Sequence, residues 1–153
     1  MGELNIAVEG STIEFEFMIP GADIVGFEYV AKSDDDIAKI NQALKTFDDY
    51  TNIFTLPSNS LCELNGQKVA LKEEDEHDEH DDHDEQAEEN HNEFYAKYSF
   101  ECGNINAIKE VKFPYFATFT NSGELEVQFI SNMGSTSFEV EGDEPLINTD
   151  GKI

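Results

Sequence analysis

Arginine and tryptophan are absent from this 153-residue chain, and histidine is absent from all of it except one short tract. With no arginine, and only nine lysines against thirty-four acids, there are no clustered cations to meet phosphate, so nucleic acid is excluded as a partner. The formal charge of −25 at pH 7 also works against an anionic membrane surface, while it draws in divalent cations. No apolar run approaches the length of a membrane span, and no basic n-region followed by an apolar h-region opens the chain. Met1 and Gly2 lead straight into what reads as a first strand, as in a mature domain whose targeting segment has been removed. Cysteine is scarce: Cys62 and Cys102 are the only two, an even pair compatible with one disulfide. The absence of histidine from the body of the chain argues against catalysis, because the usual general base is missing there. The two cysteines fall on apolar faces, where thiols are generally inert. The chain is therefore not expected to be an enzyme.

What is there is concentrated between Glu73 and Glu93, in the run EEDEHDEHDDHDEQAEENHNE, which holds all four histidines, thirteen acids and no lysine. Its middle sets each imidazole between two carboxylates: Glu76, His77, Asp78, then Glu79, His80, Asp81, then Asp82, His83, Asp84. His91 follows after an acidic spacer. A run of Asp and Glu alone is by default a solvated, self-repelling loop with no ligand. The imidazoles change that reading, because neutral imidazole is the commonest protein ligand of zinc and its neighbours, with carboxylate oxygen an acceptable partner. The tract contains no cysteine for a zinc finger and no H-E-x-x-H for a zincin. It also lacks the glycine and spaced acids of an EF-hand, and calcium is poorly served by imidazole. The expected cargo is Zn2+, with other borderline transition metals admissible. The candidate ligands are His77, His80, His83 and His91, with Glu76, Asp78, Asp81 and Asp84 available to complete the shell. Only Ala87 offers anything to bury, so residues 73–93 are expected to form a disordered loop. Wrapping an ion then requires ordering the chain at roughly 1 to 2 kcal/mol per residue fixed, which favours a loose, exchangeable grip.

The rest, about 130 residues, is enough for a single core, and residues 1–153 are expected to be one domain. Leu4, Ile6 and Val8 alternate with polar or small neighbours, as do Ile13, Phe15, Phe17 and Ile19, predicting two antiparallel strands that each bury one face. Val25-Gly26-Phe27-Glu28 reads as a short apolar return with a bend at the glycine. Ser33 before three aspartates predicts the N-terminus of the main helix, with Ile37, Ile40, Leu44 and Phe47 on its core face. A further turn of helix is expected between Asp49 and Phe54, and Asn65-Gly66 between apolar neighbours predicts a hairpin. Beyond the tract, Phe94, Ala96, Tyr98, Phe100 and Cys102 share one strand face, and Phe113-Pro114-Tyr115-Phe116 is an aromatic corner. Leu125, Val127 and Phe129 form a strand that returns through Phe138 and Val140 after a turn at Asn132-Met133-Gly134, and the residues from Gly142 look like a loose tail. The predicted fold is mostly β or α+β: an antiparallel sheet or sandwich with one main helix, the acidic loop being inserted between two strands. Nothing in the pattern sets an oligomeric state.

Several segments, taken in order, resemble the ZrgA-like periplasmic zinc-uptake proteins of Gram-negative bacteria. They are LNIAVEG from Leu4, DIVGFEY from Asp23, LPSNSLCEL from Leu56, the His-rich acidic insert, YSFEC from Tyr98 and KFPYF from Lys112. The resemblance implies a periplasmic domain with a cleaved signal, a disulfide between Cys62 and Cys102, and zinc binding within an uptake system that includes an ABC transporter. The chain departs from that pattern in carrying no histidine before its first strand and a tyrosine, Tyr29, where relatives often have histidine. The tract is therefore the main candidate for the metal. Two other readings remain open on the residues alone: a metal buffer with no delivery partner, and a structural or adhesive β-domain whose acidic loop is incidental.

Overall fold

The opening alternation of apolar and polar residues sets the architecture. In the computed structural model, which describes residues 1–74 and 91–153, Gly2–Glu9 forms β1 and Thr12–Pro20 forms β2. They are an antiparallel hairpin that registers Leu4 with Phe17 and Ile6 with Phe15. Gly21–Ile24 is a single helical turn, α1. The chain then bends at Gly26, whose φ of +92° favours glycine. Val25 to Glu28 is thus irregular rather than the short strand-like return expected from its apolar residues.

Ser33 does cap the main helix, α2 (Asp34–Asp48), its side chain accepting from the Asp36 amide at 3.1 Å while three aspartates occupy the positive end of the helix dipole. Ile40, Ala43 and Phe47 are buried and Leu44 is half-buried, but Ile37 is 41% exposed, because α2 meets the core only from Ile40 onward. A 3-10 turn at Tyr50–Asn52 stands where a further helical turn was expected.

Next come β3 (Cys62–Glu74) and β4 (His91–Cys102), antiparallel partners on either side of the tract. The hairpin expected at Asn65-Gly66 does not form. Gly66 lacks the positive φ that a type I′ turn requires, and the pair is absorbed as an irregularity in the ladder between Leu64 and Gly66. Pairing with β4 along the whole of β3 outweighs a local preference that could have closed only a very short hairpin. The ladder also takes in Glu73, Glu74, His91, Asn92 and Glu93, so both ends of the 73–93 run are strand.

Glu110–Lys112 is β5, Tyr115–Thr118 is the short helix α3 at the aromatic corner, Glu124–Ser131 is β6, Gly134–Glu141 is β7 and Leu146–Asn148 is β8. The tail expected to be loose is held: β8 pairs with β5, Ile147 is buried, and the Thr149 hydroxyl donates to the Ile108 carbonyl at 2.7 Å. A buried isoleucine in a three-residue strand supplies that anchor with too little periodicity to be read in advance.

The six strands of the main sheet run in the order β3-β4-β2-β1-β6-β7, with β5 and β8 forming a small second sheet. Every neighbouring pair of the main sheet is antiparallel except β1 and β6, which are parallel, so the sheet is mixed rather than purely antiparallel. One face is buried under α2 and the 3-10 turn by a dense aromatic cluster. Phe15 stacks on Phe54 at 4.0 Å, Phe47 on Phe94 at 5.9 Å, and the Tyr98 hydroxyl donates to the Phe47 carbonyl at 2.6 Å. The opposite face carries Glu14, Glu16, Tyr95, Lys97 and Glu101, which are half-buried or exposed, and among the described residues no helix packs on it. The architecture is therefore α+β, with the helix on one side, and not a sandwich. Among the described residues no helix is long and apolar enough to cross a membrane.

Candidate functional site

The β3–β4 ladder presents its two ends to different chemistry. At one end Cys62 lies opposite Cys102, and the two are joined by a disulfide that spans 40 positions of sequence. At the other end Glu74 lies opposite His91, where the tract leaves the sheet. Thirteen residues of β3 separate these points, about 40 Å at the usual rise per residue. The bond therefore ties the two arms of the tract together at their far end rather than at its neck.

At the neck, His91 is the first residue of β4, with its side chain 58% exposed. Its Nδ1 stands 3.0 Å from Oε1 of Glu28. Glu28 has no strand to hold it, and its position comes from a neighbour of the histidine instead. The Asn92 amide donates to the Glu28 carbonyl at 2.9 Å, and the Asn92 side-chain Nδ2 donates to the Tyr29 carbonyl at 3.1 Å. Asn92 is itself buried, and its Oδ1 has no hydrogen-bond partner among the described residues. That oxygen lies against α1: a Cβ placed on Gly21 would come within 1.7 Å of it and within 2.7 Å of the Phe27 carbonyl. Only glycine permits that approach. Past Glu28, Tyr29 stacks on Phe27 at 4.5 Å and donates its hydroxyl to Asp36 at 2.9 Å, a bond that raises the tyrosine's pKa.

Between these pieces is a cleft of about 300 Å³ lined by Pro20, Glu28, Lys72, His91, Asn92 and Glu93. The Lys72 ammonium is drawn over the Tyr95 ring at 4.3 Å. Tyr95 in turn donates to Glu16 at 2.7 Å, and that carboxylate pushes the phenol up to about 12. The neck is thus a place where an imidazole and a carboxylate meet at the solvent-exposed end of the β3–β4 ladder.

Of the residues the sequence singles out for metal, His91 is the one described, and it is paired with Glu28. His77, His80, His83, Glu76, Asp78, Asp81 and Asp84 lie outside the described residues. Among the described residues no group of three or more His, Cys, Asp or Glu side chains comes together as a ready cage for an ion. Glu28 was not singled out from the sequence. It lies 63 positions from His91, and the signals near it were the bend at Gly26 and the resemblance's interest in Tyr29.

Comparison with curated proteins returns no match to the chain. A family described as ZrgA family zinc uptake protein matches residues 1–149, nearly the whole length. That points to a protein that handles zinc by binding it, and together with the disulfide it fits an extracytoplasmic setting. With this match over strands, helices and both arms of the tract alike, the chain belongs to the ZrgA family of zinc uptake proteins.

Proposed function

We propose that the chain captures zinc in the periplasm on its acidic, histidine-rich tract and hands it to the binding component of a zinc ABC transporter. The observation that supports this most directly is the placement of His91. The fourth imidazole of the tract stands on the first residue of β4 against Glu28, so the run carrying the other three springs from a fixed histidine–carboxylate pair in a zinc uptake protein. His77, His80, His83 and His91 supply nitrogen donors, and a carboxylate from Glu76, Asp78, Asp81 or Asp84 completes the shell. The charge of the tract concentrates cations around it. The same carboxylates favour protonated imidazole, which cannot ligate, so capture is strongest where the rings are neutral.

Calorimetry with zinc, and native mass spectrometry for stoichiometry, test the reading. H77Q/H80Q/H83Q lowers affinity by well over the roughly 10- to 100-fold that loss of a supporting residue costs, with the circular dichroism of the sheet unchanged. Undiminished uptake by that variant would end the proposal. Zinc affinity of the unaltered chain falls steeply between about pH 7.5 and about pH 5, and a flat profile would rule out imidazole ligation. Delivery is tested by mixing zinc-loaded chain with the metal-free binding component of a zinc transporter. Transfer faster than spontaneous release supports hand-over, and transfer at the release rate leaves only a buffer.

A further inference from the structure

The two edges of the main sheet are finished differently. An edge strand carries main-chain groups that another chain can pair with, and lysines, prolines or breaks in the ladder usually discourage it. The β3 edge has Lys68, Lys72 and the irregularity between Leu64 and Gly66. The β7 edge has no lysine or proline, and its register with β6 runs unbroken from Glu124 opposite Glu141 to Ser131 opposite Gly134.

Ser131 and Gly134 close the turn at Asn132-Met133, so hydrogen-bonded pairs recur at every second position of β7 from Gly134 onward. Thr136, Phe138 and Val140 therefore bond to β6, while Ser135, Ser137 and Glu139 turn their amides and carbonyls away from the sheet. Glu141 continues that outward series, and its carbonyl accepts from the Glu144 amide at 3.0 Å, which closes the edge beyond it. Among the described residues, the outward main-chain groups of Ser135, Ser137 and Glu139 have no partner.

Side chains beside this edge select the kind of strand it takes. On the face opposite α2, Glu126 lies across from Glu139 and Glu124 across from Glu141, with Glu3 next to Glu126. β1, β6 and β7 contain no lysine, and among the described residues no cation pairs with any of these acids. Like charges directly opposite each other are unfavourable, and an incoming cation relieves them. A second copy of this chain would bring the same glutamates and a further formal charge of −25, so the edge repels its own kind. On the other face Phe138 is half-buried, with a strand on one side only.

We propose that the edge of β7 docks an extended basic segment of a partner protein, which adds as a further strand with its cations beside Glu126 and Glu139 and its apolar residues over Phe138. Main-chain hydrogen bonds to Ser135, Ser137 and Glu139 hold the segment, and its alternation of basic and apolar side chains fixes the register.

The test titrates the full chain with an end-blocked octapeptide alternating lysine and valine, followed by fluorescence anisotropy and by nitrogen-15 spectra. Binding shifts the amides of Ser135, Ser137 and Glu139 and slows their exchange with solvent. Methylating the peptide's backbone nitrogens abolishes binding at the edge although its charge is unchanged, and a glutamate–valine peptide does not bind. S137P removes one outward amide without touching the ladder to β6, and weakens binding about tenfold. Should it fold poorly, E126K/E139K keeps the backbone groups and lowers affinity about tenfold, an effect that shrinks as salt is raised. Binding that survives methylation or S137P, or shifts confined to residues outside β7, reports attraction to net charge alone and overturns the proposal. So does an absence of binding, or a chain that instead self-associates through β7, seen in sedimentation as a dimer that S137P dissolves.

Discussion

The two ends of the β3–β4 ladder are built from opposite materials. One is closed by a covalent bond between Cys62 and Cys102, with Cys102 buried. The other is held by hydrogen bonds through the buried Asn92 and by the contact between His91 and Glu28, two side chains that solvent reaches. The difference shows a division of labour along one pair of strands. A covalent tie stands at the end away from the tract, and exchangeable polar contacts stand at the end from which the tract departs, so the fold is secured without a covalent link at the neck.

The comparison is broken most severely at the covalent end. Opening a loop of 40 positions in C62S/C102S lowers the unfolding free energy by about 4 kcal/mol, measured by urea titration. Zinc affinity of the molecules that remain folded stays within about twofold of the parent, because the bond lies about 40 Å from the neck. A tenfold loss of affinity would show that the two ends are mechanically coupled and that the division of labour is false.

A smaller effect of the opposite kind is expected at the neck. Gly21→Ala forces a methyl group onto Asn92 Oδ1 and toward the Phe27 carbonyl, and overpacking of this sort costs about 1 to 3 kcal/mol. The change also disturbs Asn92, which is next to His91, a ligand in the proposed capture, so zinc affinity falls together with stability. Loss of stability with affinity intact would mean that Asn92 serves only the fold.

What could be read from the sequence, and what could not, follows the same contrast between local and distant causes. The alternation in β1, β2 and β4, the Ser33 cap of α2 and the buried aromatic corner all rest on spacings within a few residues, and the structure reproduces them. The tract's composition pointed to a metal without any knowledge of the sheet. Spacing reveals which face of a strand is buried but not which strand lies beside it, so the parallel pairing of β1 with β6 was invisible. Asn65-Gly66 misled because a strong local turn signal was outvoted by a partner strand beyond the tract. Glu28 was not singled out for a related reason: its partners, Asn92 and His91, lie more than sixty positions away.

The smallest expected effect sharpens the comparison between the two faces of β4 itself. Tyr95 and Tyr98 are three residues apart on one strand, and both phenols have raised pKa values, but from different causes. Tyr98 lies in the aromatic core, where desolvation by burial is the main reason. Tyr95 lies on the open face, where the hydrogen bond to Glu16 comes first and lifts it from an ordinary value of 10.0 to about 12. A group whose folded pKa is raised contributes stability that is present in full below its unfolded value, here near 10, and that is gone once the pH has risen through about 12. In an ultraviolet titration of the folded chain, E16Q therefore lowers the ionisation of the half-buried Tyr95 toward its ordinary value and leaves the buried Tyr98 untouched. It also removes the part of the alkaline loss of stability that Tyr95 causes. If E16Q moved no tyrosine, the open face would be holding its side chains by packing alone.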